Sequence, residues 1–206
     1  MCGRYFIDES AELKTIVNEM KTSVLMKFWE NSSQVVTEGE IRPTDIVPVI
    51  ALNRRGESSV FPMKWGFAGK TLLINARVET ASEKPSFRNE WLSHRCVIPA
   101  AYYFEWSHMT GKDGKVHTVD KYIIQPQESG MTWICGLYRF ENNLPVFVIL
   151  TREPGDEVRK IHNRMPLIIA KDMIDEWIRP DADPNIVIER ALTDMVLEKQ
   201  SEVKNV

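Results

Sequence analysis

The chain has 206 residues, 43% hydrophobic and 27% charged, which is material for one well-packed domain and too short for two. Its net charge of -3 excludes a protein that coats nucleic acid by bulk charge and leaves room for a local basic cleft. Apolar runs such as Val146 to Leu150 fall far short of a membrane span and no secretory signal precedes Cys2, so a cytoplasmic protein is expected.

The chain opens Met1-Cys2-Gly3-Arg4-Tyr5. Removal of Met1 leaves Cys2 with an α-amine and a thiol on adjacent carbons, a 1,2-aminothiol. The amine of a chain end titrates near ~7.7–8.0 and the thiol near ~8.5, so both are partly deprotonated at neutral pH. With an aldehyde this pair gives an imine and then a five-membered thiazolidine, which suits capture of carbonyls. Gly3 leaves the backbone permissive, and Arg4 adds a fixed cation suited to an anionic substrate. On position alone Cys2 is simply a small residue after the start codon, and only partners elsewhere change that. The three cysteines, Cys2, Cys96 and Cys135, are odd in number and widely spaced, which fits neither a disulfide framework nor a zinc site. Cys96 and Cys135 lie in apolar sequence and are expected to be inert core residues, and no metal or cofactor is expected.

Leu13, Ile16, Val17 and Met20 recur at helical spacing and predict a surface helix over 10–20, with Asp8 or Ser10 as cap. The segment 24–40 reads as irregular, with a turn at Glu38-Gly39-Glu40. Ile46 to Ile50 reads as a strand in which Pro48 argues for an edge or a bulge. Asn53-Arg54-Arg55-Gly56 then turns the chain into a strand from Ser59 to Met63. Leu72 to Thr80 reads as a strand with Ile74, Ala76 and Val78 on one face and Asn75, Arg77 and Glu79 on the other. Those three polar residues fit a site or a solvated face equally well.

A helix is expected over Ser82 to Leu92, followed by a strand from Val97 that runs into Tyr103-Phe104-Glu105-Trp106. A carboxylate among aromatics is desolvated, which raises its pKa toward a useful acid/base range; an edge-strand Glu reaching water is the plainer alternative. Gly111 to Lys115 reads as a turn flanked by surface residues His108 and His117. Tyr122 to Gln125, Trp133 to Phe140 and Val146 to Thr151 read as strands, with Glu141-Asn142-Asn143 turning the last pair. His162 and Arg164 flank one residue in a loop before the strand Leu167 to Ile169, where a histidine is either a proton shuttle or a solvated side chain. Asp172 to Ile178 and Pro184 to Val196 read as amphipathic helices. The sum is an α+β chain: a mainly antiparallel, barrel-like sheet with flanking helices in one domain over residues 1–206.

Four of these stretches occur together in one known family. Met1 to Arg4, the Asn-Ala-Arg-x-Glu-Thr of Asn75 to Thr80, the Phe-Glu-Trp of Phe104 to Trp106 and the Ile-His-x-Arg-x-Pro of Ile161 to Pro166 resemble the SOS-response-associated peptidase (SRAP) domain. That family shields abasic sites in single-stranded DNA by covalent capture. The tail Ser201 to Asn205 resembles the family's closing segment less specifically. The resemblance implies Cys2 as nucleophile with Asn75, Glu105 and His162 as partners, and single-stranded DNA containing abasic sites as the partner molecule. The family's pattern leaves room for a lyase activity, and its name for a peptidase whose evident substrate is the Met1–Cys2 bond, which ordinary methionine removal before a small residue would cleave equally well. His162 would protonate the sugar ring oxygen as it opens, Glu105 would orient or deprotonate the α-amine, and Asn75 would hold the Cys2 backbone. Arg4, Arg77 and Arg164 would meet flanking phosphates, with Thr151 and Pro43 in the DNA groove.

The stretch Phe67 to Thr71 is shorter than the Trp- and Pro-bearing loop of many family members, so Trp65 or Phe67 is the candidate for a base-stacking wedge. A monomer is expected, nucleoid-associated when bound to DNA. Two competing classes remain: an N-terminal-nucleophile amidohydrolase, which also exposes Cys-Gly after processing, and a non-covalent reader of single-stranded DNA or modified bases.

Overall fold

The computed structural model describes residues 2–29, 32, 34–110 and 114–200. Met1, residues 111–113 of the expected turn and the tail Ser201 to Asn205 lie outside the described residues. In chain order the strands are β1 (Arg4–Ile7), β2 (Gly39–Ile41), β3 (Ile46–Leu52), β4 (Ser58–Trp65), β5 (Asn75–Arg77), β6 (Arg95–Ala100) and β7 (Tyr102–Thr110). They continue with β8 (Val116–Pro126), β9 (Thr132–Glu141), β10 (Leu144–Arg152), β11 (Met165–Pro166), β12 (Ile168–Ile169) and β13 (Met195–Lys199). The helices are α1 (Ala11–Thr22), α2 (Val78–Ala81), α3 (Arg88–Ser93), α4 (Asp156–Arg159), α5 (Ile174–Ile178) and α6 (Pro184–Glu189).

Five strands close a ring: β3 pairs β4, β4 pairs β10, β10 pairs β9, β9 pairs β6, and β6 returns to β3. Closure removes the sheet edges that would otherwise invite pairing with other chains. Gly136 lets the wall close, because a Cβ there would lie 2.7 Å from both the Val148 carbonyl oxygen and Ile98 Cδ1. The pairings are antiparallel except where β10 runs parallel to β4 and β5. A second sheet, ordered β13-β8-β7-β1-β2, packs beside the barrel through one connected apolar core. Arg95 ties the helices on, donating to the carbonyls of Trp91 in α3 and Trp177 in α5 at 2.9 and 2.7 Å. No described helix is long and apolar enough to cross a membrane.

The mixed, mainly antiparallel barrel-like fold matches the sequence expectation, while several element boundaries differ from it for local reasons. Gly39 and Glu40 open β2 instead of turning, with Gly39 at φ 98° entering the strand. Pro48 is not on an edge, since β3 lies between β4 and β6; the N–H it lacks falls where β3 has little to bond, its pairing with β6 being confined to Ile50 opposite Val97. The strand expected over Leu72 to Thr80 shrinks to the three residues of β5, and Val78 starts a helical turn instead. The helix expected over Ser82 to Leu92 starts only at Arg88, and the one from Pro184 stops at Glu189, leaving Met195 to begin β13.

Candidate active site

Register places the site. β1 pairs β7 with Arg4 opposite Phe104 and Tyr5 opposite Tyr103, so Cys2, just ahead of β1, arrives beside Glu105. β5 is held parallel to β10, with Asn75 opposite Ile149, and Trp65 Nε1 donates to the Ile74 carbonyl at 2.9 Å. From that position Asn75 Nδ2 donates to the Cys2 carbonyl at 3.0 Å, across 73 residues of sequence. The loop after α4 supplies the last partner. The His162 N–H donates to the Val158 carbonyl at 2.9 Å, and β11 pairs with the end of β10 through Thr151 opposite Pro166. This brings His162 Nε2 to 3.7 Å from Glu105 Oε1. The structure therefore gathers Cys2, Asn75, Glu105 and His162 at one place.

Both acidic groups in this place are displaced from their ordinary values. Cys2 is fully buried, and burial pushes its thiol far up, with the neighbouring Glu105 charge adding to the effect. Glu105, 3% exposed, is raised by burial, against which nearby His162 pulls it down. The His162 ring is locked by its own loop: Nδ1 lies 3.0 Å from both the N–H and the carbonyl of Arg164. With Nδ1 accepting from that N–H, the neutral ring carries its proton on Nε2, facing Glu105; in the charged ring, and in the neutral ring left when Nε2 gives its proton away, Nδ1–H donates to the carbonyl instead. The backbone thus accommodates the histidine before and after it gives up a proton.

Tyr5 and Tyr103 add a feature that sequence reasoning missed. Both are fully buried, both phenols are pushed well above their usual range by burial, with Cys2 among the charges that add to it, and neither hydroxyl has a hydrogen-bond partner among the described residues. The signal was present for Tyr103, which lies two residues before Glu105 and so shares its face of the strand.

The remaining expected residues separate by exposure. Arg77 is exposed, with no side-chain partner among the described residues, and Pro43 is half-buried. Arg4 donates to Glu40 at 3.1 Å and to the Gly3 carbonyl at 2.7 Å. Thr151 is buried at the end of β10, its Oγ1 3.4 Å from the Ala76 carbonyl. Arg164 is placed differently from a free phosphate contact. It is 9% exposed and grips both oxygens of Glu79 at 2.8 Å each, with a further bond of 2.6 Å to the Thr151 carbonyl. That bidentate pair holds Glu79 below the usual carboxylate range, overcoming the opposing effect of burial, and fixes the His162 loop to α2.

Trp65 and Phe67 are corrected as base-stacking candidates. Both are 0% exposed, and Arg139 lies 4.2 Å over the Phe67 ring while Glu141 accepts from the Ala68 N–H. Neither ring offers a face to a base. Truncating a fully buried aromatic costs about 3–5 kcal/mol, so these two are core residues. Among the described residues no group of three or more His, Cys, Asp or Glu is placed to hold a metal ion.

A family model described as SOS response associated peptidase (SRAP) matches residues 1–206. The chain is 30% identical over 204 residues to the abasic site processing protein YoqW of Bacillus subtilis, covering 90% of this chain and 84% of that one. It is 31% identical over 198 residues to the abasic site processing protein YoaM of the same organism, covering 87% and 80%. Among solved structures, a Bacteroides thetaiotaomicron protein superposes with a TM-score of 0.73 at 19% identity, over 98% of this chain and 93% of that one. A phage-related protein from Bordetella bronchiseptica gives 0.72 at 18%, over 98% and 95%. These two likenesses speak for the fold alone.

Proposed function

The chain belongs to the SOS response associated peptidase family, and from that premise we propose that it captures abasic sites in single-stranded DNA by covalent attachment to Cys2. The names of its relatives support abasic-site handling. The observation that carries the reading for this chain is the bond from Asn75 to the Cys2 carbonyl, which anchors the second residue beside the Glu105 and His162 pair.

The proposed sequence starts after removal of Met1. His162 Nε2 gives its proton to the ring oxygen of the abasic deoxyribose as the bond from that oxygen to C1′ breaks. The C1′ hydroxyl gives its own proton to water, and the opened sugar presents an aldehyde. Glu105, whose burial makes it a better base than an ordinary carboxylate, takes the proton of the α-ammonium. The amine adds to the aldehyde and one water leaves, giving the imine. Burial keeps the Cys2 sulfur a neutral thiol at this stage, so nitrogen attacks first. Sulfur then closes on the imine carbon, its proton passing to the nitrogen, and the product is a thiazolidine. Lyase and Met1-removing activities fall within the same proposal, since both draw on the acid/base pair beside Cys2. The test is a denaturing gel of protein confirmed to begin at Cys2, incubated with an oligonucleotide bearing one abasic site: a shifted band is expected, and an unshifted one rejects covalent capture.

The two arginines then take different roles. Arg77, exposed and without a side-chain partner among the described residues, meets a phosphate, so Arg77→Ala should weaken binding to every sequence and lower the salt slope by about 0.7 on single strands. Arg164→Ala should leave that slope alone and slow adduct formation instead, because it releases the His162 loop from Glu79. Measurement of the anisotropy of a labelled oligonucleotide against salt separates the two, and equal slope losses would return Arg164 to the phosphates.

A further inference from the structure

Four charged side chains outside the Cys2 chemistry converge on the second sheet. Glu40 of β2 accepts from Lys121 Nζ of β8 at 2.7 Å and from Arg4 Nε of β1 at 3.1 Å, and Arg42 Nη2, one residue past β2, lies 3.6 Å away. Lys121 is held in place from below, its Nζ 3.7 Å over the Phe104 ring and 5.5 Å from that of Trp106. Burial alone would raise the Glu40 carboxyl, but Lys121, Arg42 and Arg4 outweigh it and keep the group ionised below its usual range. Three cations therefore share one carboxylate, an excess of positive charge at one point of a chain whose net charge is -3.

This cluster lies close to the site along the chain, across the second sheet from Glu105. Arg4 is two residues from Cys2, about 7 Å of extended chain. Lys121 stands opposite Trp106 across the β7–β8 pair, one residue along β7 from Glu105 and, by the alternation of the strand, on the other face of the sheet. All four side chains keep solvent access, Lys121 least at 24% and Arg42 most at 64%. An excess of cations already converged on one anion has room for a second, and the arginine forks suit phosphate oxygens.

We propose that Arg4, Arg42 and Lys121 form a phosphodiester subsite for the strand that carries the lesion, with Glu40 as the resident counter-anion that keeps the three cations converged between binding events. This rests on the single-stranded DNA reading above and extends it to Arg42, Lys121 and Glu40. Because the side chains are fixed before the strand arrives, little of their freedom is lost on binding.

The test uses an undamaged, fluorescein-labelled oligothymidylate, so that no covalent bond forms and failure of capture at Cys2 leaves the result intact. Anisotropy titrations over a range of salt should show Arg42→Ala and Lys121→Ala each lowering the slope of log K against log salt by about 0.7. Glu40→Gln, which removes the competing negative charge, should tighten binding. Lys14→Ala, on α1 and bridged among the described residues only to Glu9 at 3.3 Å, makes the same change of charge elsewhere and should leave the slope unchanged. Thymidine monophosphate at equal phosphate concentration should fail to displace the strand. Unchanged slopes for Arg42→Ala and Lys121→Ala, a Lys14→Ala loss of equal size, or displacement by the mononucleotide would each overturn the subsite. Absence of any salt-dependent binding by the unaltered protein would overturn the subsite and the DNA reading together.

Discussion

Cys2→Ala should reduce the covalent adduct with abasic single-stranded DNA to background, the largest effect of any single substitution in this chain. The alanine variant keeps the α-amine and the Asn75 bond to the residue-2 carbonyl, so the loss reports the missing sulfur and not a displaced terminus. Cys2→Ser keeps an oxygen where the sulfur was. It should yield at most a labile imine, seen on a gel only after reduction by borohydride, because the poorer nucleophile does not close the ring. An adduct from Cys2→Ala at the yield of the unaltered protein would move the attachment to another residue. Glutamine hydrolysis without an adduct would favour the amidohydrolase class instead.

The second large effect separates Glu105 from His162. Each is expected to contribute an acid/base factor of about 10²–10⁴ in rate. His162→Ala should lose adduct formation at the ring-opening step, since Nε2 is the proposed proton donor, and a substrate supplied as a pre-opened aldehyde should restore much of the rate. Glu105→Gln should not be rescued that way, because its proposed target is the α-ammonium. The pH dependence has a definite sign. Burial raises the Glu105 pKa, so the carboxylate that accepts the proton is lost as pH falls through a value above the ordinary ~4.3, and the rate should fall on that acidic limb. Glu105→Gln should flatten it. Rescue of both variants by the open aldehyde, or of neither, would contradict this division of labour.

How much of this was legible in the sequence follows from what each signal depends on. The α1 apolar spacing and the Asn53 to Gly56 and Glu141 to Asn143 turns are local, and all three appear where expected, with Asn142 and Asn143 at φ 49° and 64°. Closure of the barrel depends on β10 pairing β4 in parallel, a long-range match that periodicity does not carry. The four residues gathered at Cys2 were legible through motif order, since each motif sits where a strand or loop delivers one side chain. Residues read as exposed by type proved otherwise where tertiary pairing decides. Arg164 looks like a phosphate contact beside His162, but the helical turn at Val78 swings Glu79 around to meet it. Trp65 and Phe67 follow the same rule in reverse: apolar side chains bordering a short loop are drawn into the core. Glu40 lay in an expected turn, and only its place on β2 beside β1 shows that it gathers Arg4, Arg42 and Lys121.

The central claim is that the 1,2-aminothiol of Cys2 closes a ring on the abasic aldehyde. The most direct measurement is mass spectrometry of the adduct after digestion of both protein and DNA. The account predicts a single modified peptide, the one beginning at Cys2 with Met1 absent, whose mass equals peptide plus open-chain sugar remnant minus one water, unchanged by borohydride because no imine remains. The same peptide carrying Met1, a modified lysine elsewhere, or a mass that rises by two hydrogens on reduction would contradict it.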